Sequence, residues 1–354
     1  MPRLPQLIHP VQPVEVRVEN NVADLLREMG KTAFQGKNLS LAAQIWREML
    51  QHEVTILLGL AGALIPAGMR SLLVSLIENR LIDCLVSTGA NLFHDIHETL
   101  GNDHWQGTCQ VDDVALKKKG IDRIYDVFAL EKEFTEVDRY LLGFARSLRP
   151  GQPLTTREFF FRLGERLLRD GQREGMITSA AKAGVPIYCP ALGDSSIGIA
   201  LSLQSKRRRV LFDIVGDIRE TAWIAAQSKA TGVIYLGGGT PKNFIQQTEV
   251  TADLMGLKTE GHRYAIQVTT DSPHWGGLSG CTLEEGQSWG KISPRAKKVT
   301  LFCDCTIALP LIVTAIVQDS RALLGKRIRP SMEKLWSLST RAGSLSAGKL
   351  RKRG

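Results

Sequence analysis

The 354-residue sequence contains no apolar run long enough to cross a bilayer. Its longest candidates, residues 55–66 and 307–317, fall well short of the ~20 residues a spanning helix needs. The N-terminus, Met1-Pro-Arg-Leu-Pro-Gln6, lacks the apolar core of a secretory signal, so a soluble cytoplasmic protein with no membrane partner is expected. Six cysteines (Cys84, Cys109, Cys189, Cys281, Cys303 and Cys305) form neither a CxxC pair nor a spaced Cys/His quartet. That arithmetic leaves no metal signature. The nearest approach, Cys303-Asp-Cys305, would place two thiols on one face of a strand, and buried cysteines in a reducing compartment are expected. Also missing are a G-x-G-x-x-G fingerprint with its downstream acid, a Walker loop and any internal repeat.

A net charge of +9 invites a nucleic-acid reading, and its location answers it. Ten of the 45 Lys and Arg lie in 321–354 with a single acid, Glu333, so residues 1–320 carry 35 charges of each sign. The body is neutral and the excess sits in a tail ending Lys349-Leu-Arg-Lys-Arg-Gly354, a composition that favours a solvated, flexible end. Weak contact of that tail with RNA or an acidic surface is the alternative. The 206–209 run of Lys and Arg reads as a turn before a strand.

Residues 1–20 are Pro-rich and irregular, and 21–53 carry apolar residues at helical spacing. Short β-like runs follow at 54–60, 82–87, 187–189, 210–214, 232–236, 264–269 and 299–302, with helical segments such as 67–79 and 222–230 between them. Apolar strands alternating with helices imply an α/β fold: a Rossmann-like, doubly wound, mostly parallel sheet with helical additions at both ends. One domain over 21–320 is expected between an irregular arm (1–20) and the basic tail (321–354). Ligands of such sheets sit beyond the strands' carboxyl ends, where glycine turns let backbone amides reach phosphates. Three turns qualify: Leu58-Gly-Leu-Ala-Gly-Ala63, Ser87-Thr-Gly-Ala-Asn91 and Leu236-Gly-Gly-Gly-Thr240. Each alone could be an ordinary tight turn; three after predicted strands favour a nucleotide site.

The chemistry concentrates in Ser279-Gly-Cys-Thr-Leu-Glu-Glu-Gly-Gln-Ser-Trp-Gly-Lys-Ile292. A lysine is nucleophilic only as the neutral amine, and burial beside an apolar ring favours that form. Trp289 could supply the ring or hold a cationic amine against its face, worth roughly 0.5–2 kcal/mol. Glu285 adds a carboxylate for an amine. The competing reading is a glycine-rich loop with a surface lysine.

Ser288-Trp-Gly-Lys-Ile292, after Glu285-Gly286, resembles the active-site signature of the deoxyhypusine synthase family. Further segments match in order from about Phe34 to Val317. They include Gly120-Ile-Asp-Arg-Ile124, Pro153-Leu-Thr155 with Glu158-Phe159, Pro190-Ala-Leu-Gly-Asp-Ser-Ser-Ile-Gly198, Gly237-Gly-Gly239 and Cys303-Asp304. The resemblance implies a homotetramer with each active site built across a dimer interface, NAD as cofactor and a polyamine as substrate. Hydride leaves the carbon beside spermidine's secondary amine for NAD, Lys291 captures the butylamine portion as an imine, and 1,3-diaminopropane departs. An acceptor amine then displaces the lysine and the hydride returns. By motif, Lys291 is the catalytic nucleophile. Thr88, Gly89, Asp194, Gly238, Thr270 and Asp304 contact NAD, and Glu285, Trp289 and Ser279 face the substrate.

The departures fall where cofactor and polyamine would be read. Ala61-Gly-Ala63 replaces the family's T-S-N, His94 stands at a substrate-side carboxylate, Ile199 replaces an acid and Asn243 a histidine. His94 and Asn243 therefore join the substrate-side candidates, with His97 and His274 as new polar groups nearby in sequence. These changes resemble the bacterial deoxyhypusine synthase-like branch, some of whose members are homospermidine synthases. A small diamine acceptor is favoured over a protein lysine. Two rivals stand: an NAD-consuming deacylase, which the cysteines oppose, and a non-catalytic NAD-binding or RNA-associated protein, which intact Glu285, Trp289 and Lys291 oppose.

Overall fold

The structure is a computed structural model that describes residues 9–257, 259–324 and 327. Two N-terminal helices, α1 (Val22–Met29) and α2 (Phe34–Gln51), lead into β1 (Thr55–Leu60), α3 (Arg70–Glu78), β2 (Cys84–Ser87) and α4 (Gly89–Thr99). An insertion follows: β3 (Trp105–Gln106), α5 (Asp113–Lys118), β4 (Ile121–Ile124) and β5 (Val127–Leu130). Next come α6 (Glu131–Ser147), α7 (Thr156–Asp170), α8 (Met176–Ala183), β6 (Ile187–Tyr188), α9 (Ser196–Ser202) and α10 (Ile214–Gln227). The chain continues through β7 (Thr231–Leu236), α11 (Gly239–Leu254), β8 (His262–Thr269), α12 (Leu283–Ser288), β9 (Ile292–Phe302) and α13 (Cys305–Leu324). Among the described residues no helix is long and apolar enough to cross a membrane.

Six strands form one parallel sheet in the order β6-β2-β1-β7-β8-β9. This is the expected doubly wound α/β sheet, with the winding reversing between β1 and β7. Both faces are covered, and period-two alternation divides each central strand between two cores. Ile56, Leu58 and Leu60 join one cluster with Trp46 and Phe93, while Leu57 joins Val233, Tyr235 and Ile245 on the other side. At roughly 1.5–3 kcal/mol for each large side chain fully buried, these layers hold the sheet.

Several expectations change. Residues 210–214 form no strand: Phe212 makes a single bridge to Leu154, and Ile214 opens α10, because Asp213 accepts the Gly216 N–H at 2.7 Å and starts the helix. Cys303 and Cys305 do not share a strand face, since β9 ends at Phe302 and Cys305 begins α13. Cys84 and Cys189 are buried as expected, but Cys109 is exposed. The antiparallel sheet β3-β5-β4 had no counterpart in the sequence reading. Residues 321–324, assigned above to the tail, continue α13, and Arg327 pairs with the fully buried Asp83. The rest of the basic segment lies outside the described residues.

Candidate functional site

Parallel strands bring all their carboxyl ends to one edge of the sheet. The turns there are stepped together by backbone bonds: Ala61 N–H to Leu236 O at 3.0 Å, Thr88 N–H to Leu60 O at 3.1 Å and Gly237 N–H to Val268 O at 2.8 Å. Helices α4 and α11 start at this edge from Thr88 and Gly238, and neither cap accepts a side-chain hydrogen bond for its first amides. Glycine is required sterically at two points. A Cβ on Gly89 would lie 2.4 Å from the Ser195 side chain, so this turn abuts the loop carrying exposed Asp194. A Cβ on Gly238 would lie 2.4 Å from Ser279 Cα, and the Ser279 Oγ accepts the Gly239 N–H at 3.1 Å. Thr270 follows β8 and Asp304 follows β9, both exposed, with Asp304 Oδ1 accepting the Thr306 N–H at 2.7 Å. The six candidate cofactor residues therefore share one edge.

Lys291 has a different setting. It precedes β9, and its carbonyl accepts the His262 N–H at 3.0 Å where β8 begins, at the opposite edge of the sheet. The eight residues of β8 separate the two edges by about 25 Å at ~3.3 Å per residue. The segment from Ser279 to Lys291 spans that length along one face. Thr282 caps α12 by accepting the Glu285 N–H at 3.1 Å, and Gly286 lets α12 lie against Ile292 of β9. From there the Lys291 side chain turns toward α11, with Nζ 3.5 Å from Asn243 Oδ1 and 5.4 Å from the Trp289 ring centroid. Glu285 and Trp289 are both exposed beside it, Trp289 by 59%. A lysine amine, an aromatic face, a carboxylate and an amide acceptor thus stand on one surface, a set suited to holding a cationic amine.

Beneath that surface lies a group the sequence reading did not single out. Lys242 is 1% exposed, and its Nζ donates to Gln267 Oε1 at 2.9 Å and to the Cys281 carbonyl. Gln267 Nε2 passes the contact on, donating to Gly237 O at 3.0 Å and Ser279 O at 2.7 Å. Burial pulls the Lys242 amine down to about 8, with nearby Lys291 adding to the effect and Cys281 and Glu285 opposing it. The only sequence signal was its place after a glycine turn, beside Asn243.

His94 sits on α4 in a cluster of imidazoles. Its Nδ1 lies 2.9 Å from His104 Nε2, and His104 Nδ1 lies 2.7 Å from Glu98 Oε1. His97 meets Glu133 at 3.3 Å, and all three rings pack around Phe134 or one another. Burial drives His94 down to about 3 and His97 to about 4, and the neighbouring imidazoles add to both shifts. His94 is therefore a neutral acceptor or donor, not a substitute charge. No contact joins it to Lys291 within the chain, and His274 is exposed in the loop after β8.

The deoxyhypusine synthase family model matches residues 24–316. The chain belongs to the deoxyhypusine synthase family. It is 48% identical over 326 residues to a "Probable deoxyhypusine synthase 2" of Methanosarcina acetivorans, covering 91% of this chain and 93% of that one. Identity to the protein of the same description from Archaeoglobus fulgidus is 53%, over 82% of this chain and 96% of the relative. A "Deoxyhypusine synthase-like protein" of Chlorobaculum tepidum is 38% identical over 83% of this chain and 85% of the relative. Among solved structures, a "putative deoxyhypusine synthase" from Entamoeba histolytica shares the fold, with a TM-score of 0.58, 20% identity and coverage of 84% of this chain and 93% of that one.

Members of this family are NAD-dependent aminobutyl transferases, so the chain is an enzyme of the transferase class. The carboxyl edge fits such a dinucleotide: two helices start there with no side-chain hydrogen bond from their own cap residues, and Gly62 and Gly239, at φ of 71° and 57°, face open space. Asp194 and Asp304 offer exposed carboxylates suited to ribose hydroxyls. The Ala61-Gly-Ala63 turn carries no polar side chain of its own, so it can offer a ligand only backbone.

Proposed function

We propose that this protein transfers the 4-aminobutyl group of spermidine or a related polyamine through an imine on Lys291 to a small diamine acceptor. The carrying observation is the arrangement around Lys291 Nζ: Asn243 Oδ1 at 3.5 Å, the Trp289 ring at 5.4 Å and exposed Glu285 on the adjoining helix. Lys291 forms a carbon–nitrogen double bond to the four-carbon fragment as 1,3-diaminopropane leaves, and gives the fragment up to the acceptor amine. Trp289 lies against the cationic chain, Glu285 pairs with its ammonium and Asn243 orients the lysine amine. Ser279 joins this wall to the glycine turn of β7. Bound NAD would supply acceptance and return of hydride. Amides at Gly89 and Gly238 would hold its phosphates, Asp194 and Asp304 its ribose hydroxyls, and Thr88 and Thr270 would line the same edge. Family membership supports a site completed across a homodimer interface, within the tetramer typical of the family. A soluble, cytoplasmic setting accords with such small-molecule chemistry.

A small acceptor is favoured because fixed negative charge is missing at His94 and Ile199, where a larger cationic partner would be read. The second reading, a protein lysine as acceptor, draws on the archaeal relatives described as probable deoxyhypusine synthases. The purified protein is to be incubated with NAD and spermidine, with and without putrescine. Homospermidine with 1,3-diaminopropane supports the first reading, and diaminopropane without homospermidine the second. Borohydride should fix a four-carbon adduct on Lys291; Lys291→Ala and Lys291→Arg should abolish both adduct and turnover while keeping NAD affinity. Turnover in either variant would sink the mechanism.

A further inference from the structure

The cationic groups of the site are out of balance with its acids. Lys242 and Lys291 act electrostatically on one another, and Glu285 is the carboxylate that acts on the same buried amine, beside the Cys281 thiol. A polyamine brings further positive charge to this place. Lys242 cannot turn away to water, because it is 1% exposed and held by Gln267 Oε1 at 2.9 Å and the Cys281 carbonyl. It also stands in the first turn of α11, at the positive end of the helix, where an ammonium is disfavoured. Both of its acceptors are neutral, so a neutral amine, which keeps two N–H groups, can satisfy them as fully as an ammonium.

We propose that Lys242 is a positioning residue of the aminobutyl site that ties the Ser279–Cys281 segment to β8 and yields its proton when a polyamine binds beside Lys291. The proposal rests on the reading of Lys291 given above. The clamp and the proton release are two properties of one amine. Through Gln267 it holds Gly237 and Ser279, hence the β7 turn, in register with the Lys291 segment. By losing a charge in a buried place it lets the site take up a cation without gathering three positive groups around one carboxylate. The groups that face it are Cys281, Glu285 and Lys291, and burial places the amine near 8, within reach of ordinary buffers.

Spermidine binding to the full chain can be followed by titration calorimetry, with and without NAD, in two buffers of different ionisation enthalpy. The native protein should release protons on binding at pH 7.5. Its affinity should tighten by about tenfold more between pH 7 and 9 than that of Lys242→Gln, one unit of linked pKa being a factor of ten. Lys242→Gln should release none and bind with little pH dependence, and Lys242→Met, which fills the space without a donor, should behave alike in proton release. Lys242→Arg, charged at every pH, should keep the weak pH 7 affinity throughout. A residue that only braced the loop would lower affinity equally at all pH values and leave proton release unchanged. That result in either neutral variant would overturn the proposal. If the native protein neither binds spermidine nor yields the borohydride adduct, the reading of Lys291 itself fails; an intact adduct with unchanged proton release defeats only the role of Lys242.

Discussion

Asp83 and Arg327 make the sharpest test of how the C-terminal segment serves the fold. Their side chains are 1% and 2% exposed, with N–O contacts of 2.6 and 3.1 Å. Asp83 Oδ2 also accepts the Ile56 N–H at 2.8 Å at the start of β1, and Arg327 donates to the carbonyls of Val54 (2.8 Å) and Arg80. Burial pushes the Asp83 carboxyl up, and the guanidinium is the main group opposing that shift. Arg327→Met would leave a buried carboxylate with one amide donor and orphan two carbonyls. Breaking a buried pair from one side costs about 3–5 kcal/mol, a large part of the ~5–15 kcal/mol that holds a typical domain folded. Urea denaturation of Arg327→Met, Asp83→Asn and the double variant should show that loss for the first. The double should lose at least about 1 kcal/mol less than the sum, as groups in direct contact do. A chain ending at residue 330 keeps the guanidinium and one ending at 324 does not, so their difference should match Arg327→Met. A loss below about 1 kcal/mol, or strict additivity, would refute the reasoning.

The imidazole cluster should make the fold acid-sensitive. With His94 drawn from 6.5 to about 3 and His97 to about 4, the unfolded chain binds protons first, so their stability is present above 6.5 and lost as pH falls. At pH 5 the two together cost about 4 kcal/mol, at ~1.4 kcal/mol per unit. Asp217, raised to about 7, works in the opposite sense over the same range. The measurement is therefore the difference between the native protein and the His94→Gln, His97→Gln double variant from pH 7 to 5, where parallel curves would count against the cluster. Gly238→Ala drives a Cβ to 2.4 Å from Ser279 Cα. It should weaken NAD binding at least tenfold and cost about 1–3 kcal/mol of stability; Gly239→Ala meets open space and should cost only the roughly 1–2 kcal/mol of a left-handed residue, and equal NAD affinities in the two variants would remove the edge from the cofactor site.

Most of the sheet was legible because each strand is a short apolar run bounded by turn residues, and β1, β2, β7 and β8 fell within a few residues of their expected limits. The 210–214 run failed because apolar content alone does not separate a strand from the start of a helix; Asp213, capping α10, decided it. The β3-β5-β4 insertion escaped notice because its strands are only two to four residues long.

Local chemistry determined the identity of the nucleophile candidate, the glycine turns and the family, because these depend on residue types at fixed spacing along the chain. Partnerships across the chain did not follow from spacing. Lys242 with Gln267, His94 with His104 and Glu98, and Asp83 with Arg327 join residues from different elements. Only packing decides which of them lose water, and for a charged group that loss outweighs every local preference. Residue types along the chain limit which groups can do chemistry; which of them are buried, paired and shifted follows from packing, because desolvation is a property of the packed fold.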